Sequence, residues 1–437
     1  MSRVKAGIRR EDKPQECRTP IVPADVRELS REHNLDFVVE PSSPRVFCDD
    51  DYRRAGASLA ALRGGGVRII FGLKEIPSDV FEPGKVYAFF SHVFKGQPHN
   101  MPMLREILHV GATLIDYEHM IDPLSGHQVE SFGSWAGRVG MAETLRALGL
   151  RLAWEGAEPN PFAALRPTYE YGDLGALTGA MADVAIRIET DGLAASVTPL
   201  VVGFIGYGNA SQGAQEILDL LPHEQVSPGD LADLKPDANR LYKVVFREQD
   251  TVRPRQTGQA FDLADYRQRG KTGYESCFGE CLPYLTVLIN GMVWSDEYPR
   301  LVTKADVRAL WEPSDRQPRL RVIGDVSCDI EGGIELTVQA TSPDEPTFVY
   351  DPLTEHVTPG HAGRGVVIMA VDNLPAELAR DASIAFSDSL KRYVPAICRA
   401  DYAVSFEQLD LPPAVKDAVI VHRGELTPKY RYLERYL

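Results

Sequence analysis

TPLVVGFIGYGNASQGAQEILDLL, residues 198–221, sets an apolar run, a glycine-rich corner and a helical pattern in succession. The run from Leu200 to Ile205 is short and unbroken, as a strand covered on both faces of a parallel sheet must be. Gly206, Gly208 and Ser211 occupy the three positions of a dinucleotide fingerprint. Gly206 permits the tight turn, and Gly208 lets main chain approach a pyrophosphate. A helix starting near Asn209 turns its free N–H groups and positive dipole end towards that anion, with Asn209, Ala210 and Ser211 in its first turn. Ala214, Ile217, Leu218 and Leu221 share one face of that helix. The next candidate strand, near Gln225 and Val226, ends in Ser227 where a ribose-binding acid is expected. That favours NADPH, with NADH as the alternative.

Upstream, apolar runs alternate with helical patterns: Val4 to Ile8, Phe37 to Val39, Val67 to Leu73, Val86 to Phe90 and Ala112 to Ile115. The alternation predicts another parallel sheet. Arg9, Glu40, Lys74 with Glu75, His92 and Glu118 follow the ends of these runs and would line one rim. Downstream, Leu285 to Ile289 ends in Asn290, and Leu320 to Ile323 leads into GDVSCDIEGGIE, a turn that points Asp325 and Asp329 towards a cofactor and substrate. The fold class is α/β, with two Rossmann-like domains and the active site in the cleft between them. Residues 1–135 and 338–437 form a discontinuous substrate and catalytic domain, and 136–337 the dinucleotide-binding domain. The glycine-rich stretch from Gly133 is read as the helix connecting them.

A formal net charge of −15 over 437 residues disfavours nucleic acid and anionic membranes as partners. No apolar run approaches bilayer length and no leader pattern is visible, so a cytoplasmic location is expected. Six scattered cysteines suit reduced thiols. Neither Cys277 with Cys281 nor the acids around Gly332 has metal-ligand spacing, and no metal is predicted.

KPQECRTP (13–20), FGLKEIP (71–77), YAFFSHVFKGQ (87–97), LIDYE (114–118), FGSWAG (132–137), LINGMVW (288–294), DVSCDIEGGIE (325–335) and DNLPAELARDAS (372–383) join the fingerprint in one ordered set. The set resembles the lysine–2-oxoglutarate reductase part of saccharopine-forming enzymes and, more distantly, the alanine dehydrogenase and transhydrogenase group. The resemblance implies NADPH-dependent condensation of L-lysine with 2-oxoglutarate, through an imine reduced by hydride. It implies Lys74 and His92 as the acid–base pair, Glu118 beside them, and Asp329 facing the nicotinamide. Arg18 is the implied grip on a substrate carboxylate, with Lys13 and Glu16 near the substrate. The partners are then an amino acid and a 2-oxo acid, with a homo-oligomer as the assembly. Gln128 departs from the pattern, since relatives carry an arginine there that holds the substrate acids. An opine-type or amino-acid dehydrogenase with other substrates is the alternative reading, and a non-catalytic NADPH-binding regulator is the alternative of another class.

Overall fold

The computed structural model describes residues 3–64, 66–123, 126, 128–129, 132–312 and 317–437. The chain divides into two compact units, Met1–Phe132 with Ala379–Leu437, and Gly133–Leu378. In chain order the first unit contributes β1 (Val4–Ile8), β2 (Leu35–Val39), β3 (Ser58–Leu59), β4 (Ile69–Phe71), β5 (Val86–Phe89) and β6 (Thr113–Asp116). The second contributes β7 (Val201–Ile205), β8 (His223–Val226), β9 (Leu241–Phe246), β10 (Val252–Pro254), β11 (Tyr274–Ser276), β12 (Val287–Asn290), β13 (Val322–Asp325), β14 (Thr347–Tyr350), β15 (Val357–Pro359) and β16 (Val366–Met369). The returning chain supplies β17 (Val419–His422) and β18 (Glu425–Leu426).

In the first unit the sheet order is β18-β17-β6-β5-β4-β1-β2-β3 among the described residues. The strands β1 to β6 are mutually parallel, so their C-terminal ends share one edge. The pleat sends alternate residues to opposite cores. Ile69 and Phe71 join Ile8, Val26, Leu29 and Phe386 on one face, while Ile70 joins Tyr87, Leu104 and Ile107 on the other. The helix Pro23–Glu32 opens on a proline at its first position, where no N–H needs a partner and φ is already helical.

The second sheet runs β15-β14-β16-β13-β12-β7-β9-β8. Every residue of β7 is buried, as its unbroken apolar run requires. Two expectations need correction. The chain does not return to the first unit at residue 338. β16 pairs in parallel with β13 and β14 pairs antiparallel to β16, so hydrogen bonding keeps these strands in the second sheet and the return falls at Ala379. The strand beside β7 is β9, and β8, which precedes Ser227, lies outside it at the edge.

The long helix Gly133–Glu155 packs against the fingerprint helix Asn209–Leu218 through main chain. A Cβ on Gly137 would lie 1.9 Å from the Ala210 carbonyl oxygen, and one on Gly213 2.0 Å from that of Ser134. Only glycine allows so close an approach. Among the described residues no helix is long and apolar enough to cross a membrane.

Candidate active site

The shared strand edge of the first unit carries the charged groups anticipated for it. Lys74 follows β4, His92 follows β5, and Glu118 follows β6. His92 adopts left-handed backbone (φ 49°), and its carbonyl accepts from Asn100 Nδ2 at 3.1 Å. That unusual conformation is held in place rather than intrinsically favoured. Its Nδ1 lies 2.5 Å from Glu75 Oε1. Burial alone would raise the Glu75 carboxyl, but the hydrogen bond and positive charge of His92 outweigh it and bring it to about 2. Glu75 was visible on the rim in the sequence, although nothing there gave it a partner.

Burial depresses the Lys74 ammonium, and the charges of Arg18 and Lys13 depress it further. Glu118 moves the other way, raised first by burial and then by Asp116. Its Oε2 is buried without a hydrogen-bond partner among the described residues. Asp116 beneath it accepts from the Glu118 amide at 2.9 Å and the Ser91 amide at 3.2 Å. Gln128 donates to the Glu118 carbonyl at 2.9 Å, steadying that turn without adding charge.

The N-terminal loop, which charge density alone marks as solvated, is built into the site. Glu11 accepts from the amides of Leu73 and Lys74, both at 2.9 Å, and so clamps the turn that carries Lys74. Burial raises its carboxyl to about 7. Sequence reasoning missed Glu11 because its partners are backbone groups more than sixty residues away. Arg18 meets Glu16 in a fork, with Nε to Oε1 at 2.8 Å and Nη2 to Oε2 at 2.5 Å. The two side chains are 1% and 0% exposed, and the guanidinium lies 4.1 Å from the centroid of the Phe132 ring. Arg18 is therefore locked in place, and any further anion would compete with Glu16 for it. Lys13 lies close enough to act on Lys74. Glu40 stands apart, accepting from the amides of Arg10 and Leu62.

In the second unit, Gly206 takes φ +89° against Met292, and no heavy atom lies within 4 Å of where a Gly208 Cβ would stand. Gly208 and Asn209 are exposed at the helix start, while Ser211 is buried with its amide against Gly291. The open turn and exposed N–H groups fit a dinucleotide pyrophosphate, with Gly206 to Ser211 as the residues that would hold it. Asn290 and Asp325 come together as a buried brace rather than an exposed lining. Asp325 accepts from Asn290 Nδ2 at 2.9 Å, Ser327 Oγ at 2.8 Å and Thr337 Oγ1 at 2.6 Å. Asp329 follows in the same turn, between left-handed Cys328 and Glu331, and its carbonyl accepts from the Gly332 amide. Ser227 is engaged with Asp230, Oγ to Oδ2 at 2.6 Å, on the far side of β9 from the fingerprint.

The alanine dehydrogenase/PNT N-terminal domain model matches residues 7–139, and the C-terminal domain model matches 275–429. The chain belongs to the alanine dehydrogenase/PNT family. As a member of that dehydrogenase family it is an oxidoreductase that uses a nicotinamide cofactor. The chain is 33% identical over 446 residues to the mitochondrial alpha-aminoadipic semialdehyde synthase of Bos taurus, covering 98% of this chain. It spans 47% of that relative's length. The lysine-forming, NAD(+)-dependent saccharopine dehydrogenase of Emericella nidulans is 26% identical, with 88% of this chain and 90% of that protein covered. An L-alanine dehydrogenase structure superposes with TM-score 0.59 at 19% identity, covering 99% of each chain, a likeness of fold. The two matched segments of this family member include its strand-edge residues Lys74, His92 and Glu118 and the Asp325 turn.

Proposed function

We propose that this chain catalyses the NADPH-dependent condensation of L-lysine with 2-oxoglutarate to saccharopine, or the reverse oxidation. The observation that carries the reading is the His92–Glu75 contact beside a depressed lysine and a raised glutamate on one strand edge. The lysine ε-amine adds to the keto carbon, water leaves to give an imine, and reduction yields the secondary amine. Each step moves a proton, and an imidazole suits that work near neutral pH. His92 shuttles the proton while Glu75 fixes the ring and stabilises its cation. Lys74 polarises the keto oxygen as a cation or takes up a proton when neutral, a form that its environment favours. Glu118 keeps its proton to higher pH than an exposed glutamate and offers its buried oxygen to the incoming amine. Arg18 and Lys13 supply the positive charge that draws the substrate acids, and Asp329 faces the nicotinamide. The bound cofactor supplies the hydride.

The second reading is a sibling reaction with another amine or oxo acid. Gln128 favours it, because an amide spent on a backbone carbonyl cannot replace a cation in holding a dicarboxylate. NADPH oxidation, followed by absorbance with L-lysine plus 2-oxoglutarate and then with each omitted, separates the two. Turnover that needs both supports the first reading. Turnover only with a different pair supports the second.

A further inference from the structure

In a dinucleotide fold the adenine ribose is read at the end of the strand beside the fingerprint strand, on the side away from the crevice where the strand order reverses. Here that strand is β9, because β8 pairs only on its outer side. The residue just past β9 is Arg247, exposed and followed by Glu248. Both reach back to the fingerprint loop. The Arg247 guanidinium lies 5.3 Å from the centroid of the Tyr207 ring, and the Tyr207 hydroxyl donates to Glu248 Oε1 at 3.1 Å. Tyr207 stands between the two fingerprint glycines, so this triad borders the turn that would hold the pyrophosphate. The carboxylate is turned to a phenol, and the Arg247 amide is tied to Asp250 at 2.8 Å.

We infer that Arg247 binds the 2′-phosphate of NADPH and is the residue by which this chain selects NADPH over NADH. Planar, permanently charged guanidinium groups suit phosphate recognition, and the ring of Tyr207 steadies this one from below. Glu248 has its carboxylate engaged by the Tyr207 hydroxyl, which turns it away from the ribose hydroxyl that an acid at the strand end would take. Ser227, one strand further out and bonded to Asp230, takes no part. The inference rests on the cofactor reading above and names the group that makes it specific.

The test is direct titration of the full chain with NADPH and with NADH, following nicotinamide fluorescence, in the wild type, Arg247→Ala, Arg247→Lys and Ser227→Ala. The expected result is tighter binding of NADPH by the wild type and a loss of about ten-fold or more in Arg247→Ala, as for one charge-assisted phosphate contact. NADH affinity should stay within about two-fold, which also shows that the variant is folded, and Arg247→Lys should recover part of the loss. An equal fall for both cofactors, no fall for either, a wild type that prefers NADH, or an NADPH-selective loss in Ser227→Ala overturns the inference while leaving a nicotinamide site intact. A wild type that binds neither cofactor overturns the cofactor reading itself.

Discussion

His92 Nδ1 and Glu75 Oε1 stand 2.5 Å apart, joining two residues seventeen positions apart in sequence through turns that follow neighbouring parallel strands. In the proposed mechanism the histidine carries the proton and the glutamate determines where the ring points. His92→Ala should lower kcat by about 100- to 10,000-fold, the usual worth of a positioned general acid–base, with NADPH affinity unchanged. Glu75→Gln keeps a partner for the ring but removes the charge. Since each side chain remains about one-third exposed, its cost should sit near ten-fold, the low end for a charge-assisted bond. Steady-state rates beside cofactor titrations test both, and equal losses in the two variants would refute the division of labour.

Lys74 and Arg18 give a prediction about pH. Burial and the neighbouring cations hold the lysine below its ordinary range, so removing one cation must raise it. In Arg18→Met the basic limb of the pH–rate profile should move to higher pH, and the unpaired Glu16 should push it the same way. Lys74→Met should cost about 100-fold or more in kcat. A limb that stays in place in Arg18→Met would mean that it belongs to another group.

Glu11 makes a stability prediction of fixed sign. Its folded-state carboxyl titrates near 7 against an ordinary value of 4.5, so between those values the folded chain holds more protons than the unfolded chain. Its contribution is complete below about 4.5 and is lost as pH rises through about 7. Denaturant unfolding from pH 4.5 to 7.5 should show a component falling with pH that disappears in Glu11→Gln. An identical slope in both proteins would remove Glu11 as its source.

Two glycines predict opposite outcomes for one substitution. Gly137→Ala drives a methyl group into the Ala210 carbonyl and should cost about 1–3 kcal/mol or more. Gly179→Ala lies exposed within the helix Leu174–Thr190 with nothing within 4 Å, and should gain about 0.5–1 kcal/mol. Thermal unfolding of the pair against the wild type measures both shifts.

The elements whose signal is local were legible in the sequence. The fingerprint strand, its left-handed Gly206 and the helix from Asn209 follow from contiguous residues, and the strand-edge positions of Lys74, His92 and Glu118 follow from period and punctuation. What stayed hidden depends on pairing at a distance. Nothing within HEQV or LYKVVF says which of them hydrogen-bonds to β7, so in the sequence the strand before Ser227 reads as the next one, while the pairing puts β9 in that place. The apolar run of β16 suits either sheet, and only its bonds to β13 and β14 decide. Glu11 and the Arg18–Glu16 fork were opaque for a related reason: a charged residue looks solvated until its burial is known. Asn290 and Asp325 stand at strand ends as read from the sequence, but the buried network that joins them through Ser327 and Thr337 depends on residues distant in sequence and was not legible there.

The contact between the long helix and the fingerprint helix has a mechanical consequence. Side-chain interfaces yield, because rotamers hop and methyl groups slide, but where carbonyl faces Cα at Gly137 and Gly213 there is no rotatable bond left to give. Any tilt or shift of Gly133–Glu155 must pass undiminished into the turn at Gly206 and Gly208. The fingerprint loop is in this sense the far end of a 23-residue lever, and the ion pair of Arg138 with Glu216 at 2.7 Å ties the same two helices from their surface.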